Sequence, residues 1–281
     1  MRSNPSVGKI SNCLHLKITV HTFFLKYCGV INIFEKNLKP EPMKNLKNVL
    51  ALLIISVCSL AATAQTSEEI VANHIKAIGG KENWEKLKSI KMEGTIKAQG
   101  AEIKIASYQV DKKAMRENIT VMGMNGYSIV TTTEGWSYMP FGGQTKPEPM
   151  TADDLKNAQE DLYLADAFIT YVELGKKLEY LGKDDFDGTD CFKFKMTDKN
   201  AKETTYYIDA SNYYILKQTN KIKANGQEME NAVVYSDYKK LDEGIVYPMS
   251  VASGYGQMQV SKLEVNVAID DATFQLPKDG K

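Results

Sequence analysis

A series of short β-rich runs between residues 191 and 269 constrains the fold more than any other feature of the chain. The clearest separator is Asn225-Gly226, because both central residues of a two-residue hairpin favour positive φ. No separator is long enough for a helical crossover, so the runs are predicted to be antiparallel neighbours. A sheet of this length has to curl, and what fills its concave side becomes the functional question. The predicted strands are 191–197, 203–209, 213–224, 228–239, 245–253 and 258–269.

Helices and further strands precede this series. Thr66 and Glu69 have capping-box spacing, which predicts a helix that begins after Thr66. A second, shorter helix is predicted over 81–87. One long helix is predicted from Thr151 to Gly175, because its apolar residues recur at spacings of three and four. Alternation of apolar and polar residues predicts strands over 90–98, 102–110, 115–122, 127–134 and 136–139, with turns at Asn125-Gly126 and over 184–190. The order predicts an α+β fold, a mostly antiparallel sheet with helices gathered on one side.

The first 64 residues are predicted to be a leader. Residues 49–60 form an apolar run that is too short to span a bilayer, and it follows a positive segment that begins at Met43. Ala62-Thr63-Ala64 has the small-x-small pattern of a cleavage site, so we expect cleavage after Ala64 and export to the periplasm. Residues 1–42 are interpreted as a disordered, over-extended gene start, 43–64 as the signal peptide, and 65–281 as one domain without a transmembrane segment.

Composition excludes several function classes. Of 35 basic and 35 acidic residues, 8 and 2 lie in residues 1–65, which leaves 27 and 33 and a net charge of −6. An acidic domain has no electrostatic reason to bind nucleic acid.

Catalytic motifs are missing as well. His74 and Cys191 are the single histidine and cysteine after residue 65, which argues against a multi-histidine zinc site and an internal disulfide. His74 falls on the apolar stripe of the first helix and is expected to be structural. No G-x-S-x-G turn, phosphate loop or dinucleotide fingerprint occurs, so we predict no catalytic residue, metal or cofactor, and no enzyme. A pair of carboxylates from distant strands stays open as a hydrolase alternative.

Apolar and aromatic residues are in surplus. Fourteen of the fifteen tyrosines follow residue 65, and several strands are apolar on both faces. Two interpretations stay open. The sheet either packs a two-sided core, or it lines a cavity of Tyr, Met, Ile and Val that accepts an apolar guest.

Four segments resemble the LolA-like outer-membrane lipoprotein-sorting family. They are Gly135-Trp136-Ser137-Tyr138-Met139-Pro140, 188–193 with Tyr206-Tyr207-Ile208-Asp209, Tyr235-Ser236-Asp237-Tyr238 with 244–248, and 270–277. The resemblance covers nearly all of residues 67–277. It implies an incomplete β-barrel wrapped over helices, with a hydrophobic cavity for acyl chains or lipids. In that family an arginine early in the sheet tunes the opening of the cavity, and Arg116 is the only arginine after residue 65 here.

The resemblance also implies a function. We expect an exported carrier of lipid or lipoprotein acyl chains, with a role in outer-membrane lipoprotein sorting. Trp136, Tyr138 and Phe141 are expected near the mouth of the cavity, and Phe168 and Ile169 as a helical plug. The other expected ligand-binding residues are Met139, Leu162, Tyr206, Tyr235, Met249 and Met258. The alternative is a non-enzymatic structural or interaction module of the envelope, with a filled core and a protein partner.

Overall fold

The computed structural model describes residues 65–98, 101–224 and 227–277. The predicted leader and the predicted Asn225-Gly226 turn lie outside the described residues. In the described part of the chain, no helix is long and apolar enough to cross a membrane.

Helices and strands follow the predicted order. The helices are α1 (Ser67–Ala77), α2 (Lys81–Glu85), α3 (Ala152–Glu160) and α4 (Ala167–Thr170), with 3-10 turns at Pro140–Gly142 and Asp271–Phe274. The first strands are β1 (Ser89–Ala98), β2 (Ala101–Val110), β3 (Ala114–Val121), β4 (Met124–Thr131), β5 (Gly135–Tyr138) and β6 (Glu148–Pro149). The later strands are β7 (Lys177–Phe186), β8 (Thr189–Thr197), β9 (Glu203–Asp209), β10 (Ile215–Ala224), β11 (Gln227–Lys240), β12 (Val246–Ser253) and β13 (Gly256–Val265).

These thirteen strands form one antiparallel sheet with two free edges. Its spatial order is β6-β5-β4-β3-β2-β1-β13-β12-β11-β10-β9-β8-β7. The order is a meander except at its centre, where β1 pairs with β13. The predicted α+β class is therefore confirmed, and so is the antiparallel pairing of the later strands.

The contacts of α3 show how strongly the sheet curls. The Gln159 side-chain amide donates to the carbonyl of Thr131 at the end of β4 (3.1 Å), and the Lys156 ammonium donates to the Asn200 side-chain carbonyl between β8 and β9 (2.9 Å). Eight strand positions separate β4 from β9, which is about 38 Å in a flat sheet. A helix of nine residues is only about 14 Å long. The sheet therefore bends round into an incomplete β-barrel that holds the helices inside its curve.

The predicted single helix over 151–175 is wrong. This segment, which we call the strap, contains α3 and α4 with an irregular stretch between them. The backbone of that stretch bonds outward instead of along a helix. The Leu162 carbonyl accepts from the Lys112 amide (2.8 Å), and the Leu164 amide donates to the Asp111 carboxylate (2.9 Å). Asp166 then starts α4 by accepting from the Phe168 amide (2.7 Å). Tertiary partners thus outcompete the helical periodicity.

Two predicted turns are displaced. Asn125-Gly126 lies inside β4, and the turn is made by Met122 and Gly123 with φ of 50° and 83°. A Cβ on Gly126 would come within 2.7 Å of the Tyr138 carbonyl oxygen, so this glycine serves close strand packing. The 184–190 turn shortens to Asp187-Gly188, with φ of 52° and 77°. The residues before it extend β7.

Gly79 fixes the end of α1 against the β11–β12 connection. The Val246 amide donates to the Ile78 carbonyl (2.8 Å). Gly79 itself has a φ of 108°, and a Cβ there would collide with the Gly244 carbonyl oxygen and lie 2.7 Å from Ile245 Cα. This close approach positions α1 inside the curve of the sheet.

Substitution of Gly79 by alanine should therefore be costly. Gly80→Ala is the matched control, since Gly80 also has positive φ (87°) but nothing within 4 Å of a new Cβ. With a ψ of 146°, Gly80 lies near a region that essentially only glycine adopts, so the control should lower the free energy of unfolding by about 1–3 kcal/mol through backbone strain alone. Gly79→Ala should lower it by at least about 2 kcal/mol more, because a backbone atom has to move. Urea denaturation followed by tryptophan fluorescence measures both, and equal losses would contradict the close packing.

Candidate ligand cavity

Helix α1 presents one apolar face to the inside of the sheet. The predicted capping box is present, since Thr66 Oγ1 accepts from the Glu69 amide and Glu69 Oε2 accepts from the Thr66 amide, both at 3.2 Å. Ile70, His74 and Ile78 follow at spacings of four and are all buried. The predicted stripe is confirmed, and it places His74 in the interior.

Phe168 of α4 closes part of the hollow with an aromatic cluster. Its side chain is 1% exposed. Ring centroids lie 5.0 Å away at His74, 5.1 Å at Tyr206 and 5.7 Å at Phe194, all in edge-to-face geometry. Such contacts add to the free energy of simple apolar burial. The helices therefore fill this end of the hollow with a well-packed core.

Beside this cluster lies a cavity of roughly 250 Å³, which we call the tyrosine cavity. Its helical wall comes from α1, α2 and the strap, and its sheet wall from β9 to β12. Four of its wall residues are tyrosines. The lining residues are His74, Ile78, Trp84, Leu164, Asp166, Ala167, Tyr206, Ile215, Gln218, Tyr235, Tyr238, Val246, Tyr247 and Pro248.

Irregular backbone in two strands determines which side chains reach this cavity. In β10 the register shifts between Ile215 and Lys217, so Ile215 and Gln218 both line the cavity although they are three residues apart. In β11, Tyr235 and Tyr238 do the same, and Asp237 between them has a φ of 54°. A regular strand alternates faces with a period of two. Bulges and left-handed residues break that alternation and re-aim side chains.

Several polar groups of the wall are already bonded. The Tyr238 hydroxyl donates to the Ile215 carbonyl (2.6 Å), and the Trp84 indole N–H donates to the Ile78 carbonyl (2.9 Å). Within the described residues, the hydroxyls of Tyr206, Tyr235 and Tyr247 have no hydrogen-bond partner. Burial raises the pKa of each of these three hydroxyls, so they stay protonated at neutral pH.

His74 and Asp166 form the charged pair of the cavity wall. His74 Nδ1 donates to the Tyr213 carbonyl (2.7 Å), and Nε2 donates to Asp166 Oδ1 (3.2 Å). Both partners only accept, so both ring nitrogens carry protons. Burial lowers the pKa of His74, but the Asp166 carboxylate and the Tyr213 carbonyl outweigh burial, and the net pKa is raised. The predicted packing of His74 is thus confirmed, and its two hydrogen bonds tie α1 to the strap and to Tyr213.

The structure distributes the sequence-predicted ligand residues over several places. Tyr206 and Tyr235 line the tyrosine cavity. Phe168 and Ile169 belong to two buried clusters, Leu162 is buried beside a more polar pocket under α3, and Met249 is buried in β12. Met139 and Phe141 pack over Gly126, Trp136 and Tyr138 pack in a separate cluster with Phe274, and Met258 lies in β13. A ligand role for all eleven residues, Tyr206 and Tyr235 included, stays a prediction.

Sequence reasoning missed Asp166, Gln218, Tyr238 and Tyr247 as members of one site. Tyr238 and Tyr247 occur in the segments that carry the family resemblance, but spacing alone does not bring them together. Asp166 gave no signal, because it fell inside the predicted long helix.

Cys191 and the potential metal ligands offer little chemistry among the described residues. Cys191 is buried as predicted, and burial raises the pKa of its thiol to about 11, so it is a poor nucleophile. Among the described residues, no group of three or more His, Cys, Asp or Glu side chains could hold a metal ion.

No protein-family model and no curated protein matches this sequence. Several solved structures match this chain over most of their own length, at low sequence identity. A DUF1329 family protein from Desulfovibrio piger is 14% identical, covers 74% of this chain and 96% of its own, and has a TM-score of 0.49. A LolA superfamily protein from Nitrosomonas europaea is 12% identical, covers 75% and 98%, and also has a TM-score of 0.49.

A third structure is a putative outer membrane lipoprotein-sorting protein domain from Vibrio parahaemolyticus. It is 16% identical, covers 73% of this chain and 94% of its own, and has a TM-score of 0.45. Because all three structures are at most 16% identical to this chain and have TM-scores below 0.5, we base the proposed function on the cavity of this chain. The incomplete barrel over helices is the architecture that the LolA-like resemblance implied.

Proposed function

We propose that the protein is a carrier that binds an apolar, acyl-like guest in the tyrosine cavity. The observation that carries this proposal is an unfilled space with aromatic and aliphatic walls between the helices and the inner face of the sheet. Pockets for drug-sized ligands begin at about 300 Å³, so roughly 250 Å³ matches one chain better than a lipid with several. Each buried CH₂ of a guest contributes about 0.8 kcal/mol. A single chain can thus be held without charged contacts.

The predicted leader and the family resemblance support a more specific proposal about the location and the cargo of the carrier. We propose that the carrier works in the periplasm, after export through residues 43–64, and that it takes part in outer-membrane lipoprotein sorting. Its partners would then be a lipid or lipoprotein acyl chain and a protein of the envelope. Detection of the protein in a periplasmic extract, with its new N-terminus at Gln65, tests the location.

The binding proposal is tested directly on purified protein. Organic extraction followed by mass spectrometry should release a co-purifying apolar molecule. The neutral fluorophore N-phenyl-1-naphthylamine should bind the extracted protein and be displaced by the same molecule. A protein that is empty after purification and binds no fluorophore would contradict the carrier function and favour the envelope interaction module.

A cavity-filling variant should remove binding without unfolding the protein. Ala167 lines the tyrosine cavity, so Ala167→Phe places a ring in the space that the guest would occupy. We expect fluorophore affinity to fall at least about tenfold, since much of the apolar ring surface that the fluorophore would bury loses its place. Ala72→Phe is the matched control, because Ala72 lies exposed on α1 outside this cavity. Circular dichroism confirms folding, and equal binding by both variants would place the guest elsewhere.

A further inference from the structure

We infer that the guest carries an uncharged hydrogen-bonding group, such as an ester, amide or hydroxyl, and that Tyr206, Gln218 and Tyr235 bind it. A free carboxylate or a phosphate is excluded. This inference rests on the proposed function and names the chemical class of its ligand.

The three side chains form one row on the inner face of the sheet. Tyr206 of β9 is the direct partner of Gln218 in β10. Gln218 lies opposite Val233 in β11, two residues before Tyr235 on the same face. Directly opposed side chains lie about 5 Å apart and diagonal ones about 7–8 Å. One small polar group can therefore reach two of the three.

The row has unused hydrogen-bonding capacity. Within the described residues, neither the two hydroxyls nor the Gln218 amide bonds to another side chain or to backbone, although Tyr206 is only 7% exposed. None of these polar atoms is both fully buried and without a partner, so solvent in the cavity can bond to them, as polar groups in folded proteins normally have a partner. A hydrocarbon guest would displace solvent from these groups and leave them unsatisfied, whereas an ester, amide or alcohol would satisfy them.

The charges around the cavity disfavour an anionic guest. Among the residues that line the cavity, His74 and Asp166 are the only His, Lys, Arg, Asp or Glu side chains, and they are paired with each other. Both ring nitrogens of His74 are occupied, by Asp166 and by the Tyr213 carbonyl. No cation is left there to neutralise a carboxylate. Burying an unpaired charge is far more costly than burying a hydrogen-bonded neutral group.

Competition among guests of one chain length tests the inference. Lauryl alcohol, methyl laurate, dodecane and laurate would each displace N-phenyl-1-naphthylamine at about pH 8, where the fatty acid is ionised. The alcohol or the ester should bind at least about fivefold more tightly than dodecane and more tightly than laurate. Dodecane or laurate binding as tightly as the neutral polar guests would overturn the inference while leaving the carrier function intact. No displacement by any guest would overturn both.

A single-atom substitution locates the polar contact. Tyr206→Phe should weaken binding of the alcohol or ester about fivefold and leave dodecane unchanged. Tyr207→Phe is the matched control, because Tyr207 lies on the opposite face of the same strand, beside Lys193 and Lys217. An equal loss for dodecane would show that Tyr206 acts through packing only, and unchanged affinity for the polar guests in Tyr206→Phe, Gln218→Leu and Tyr235→Phe would refute the assignment.

Discussion

Phe168→Ala is expected to lower the free energy of unfolding by about 3–5 kcal/mol. Phe168 is 1% exposed and lies at the centre of the rings of His74, Phe194 and Tyr206. Removing its ring leaves a cavity that the barrel cannot close, because α1, the strap and two strands meet there. Urea denaturation, followed by circular dichroism, measures the loss as a lower midpoint with a similar slope.

The matched control is Phe186→Ala. Phe186 ends β7 and contacts the outward-facing Tyr207 at a ring distance of 6.3 Å. It is only half-buried, so its loss should cost well under half as much as the loss of Phe168. Comparable losses for the two variants would mean that Phe168 does not form the centre of the core.

Asp166→Ala is expected to cost about 3 kcal/mol, because it leaves a buried His74 cation without its carboxylate. Removing one member of a buried ion pair usually costs about 3–5 kcal/mol. The lower end of this range applies here because the Asp166 side chain is 18% exposed, while that of His74 is 1% exposed. Asp166 also accepts from the Phe168 amide at the start of α4, and alanine removes this cap as well. The same denaturation assay measures the loss.

Glu173→Ala is the surface control for Asp166→Ala. Glu173 pairs with Lys112 at 2.7 Å, a shorter distance than the 3.2 Å between His74 and Asp166, but both members of the Glu173–Lys112 pair are about half exposed. Solvent and salt screen such a pair, so its loss should cost less than about 1 kcal/mol. If Glu173→Ala lowered the free energy of unfolding as much as Asp166→Ala, burial would not determine how much these two ion pairs contribute to stability.

The pH dependence of stability distinguishes the pair from mere packing. The pKa of His74 is raised in the folded protein above its unfolded value of about 6.5. The stabilisation that protonated His74 gives the folded protein is therefore complete below about pH 6.5, and it is lost as the pH rises through the pKa of His74 in the folded protein. Asp166→Ala removes the main group that raises this pKa, so the decline above about pH 6.5 should disappear or move to lower pH. An unchanged pH profile in the variant would contradict the ionised pair.

These two residues also connect stability to the proposed function. Phe168 closes one end of the hollow, and Asp166 holds the strap against α1 beside the tyrosine cavity. Variants of either residue should loosen the helical wall of the cavity as well as the core. Their guest affinity is informative only at temperatures where each variant is folded.

The sequence by itself determined the elements whose signals are local. The capping box at Thr66, the buried stripe of α1 and the alternation of the strands are set by spacing within a few residues, and the structure confirms them. The antiparallel pairing of consecutive later strands followed as well, because their connections are too short for a crossover, whereas the pairing of β1 with β13 was not predicted.

Only the tertiary structure decided where the strap breaks and what lines the cavity. The break depends on hydrogen bonds from Asp111 and Lys112, about fifty residues earlier in the chain. The wall depends on a register shift after Ile215 and on the left-handed Asp237, which bring Gln218 and Tyr238 to the inner face. A period of two cannot reveal such shifts, because each depends on how two strands pair and on what packs against them.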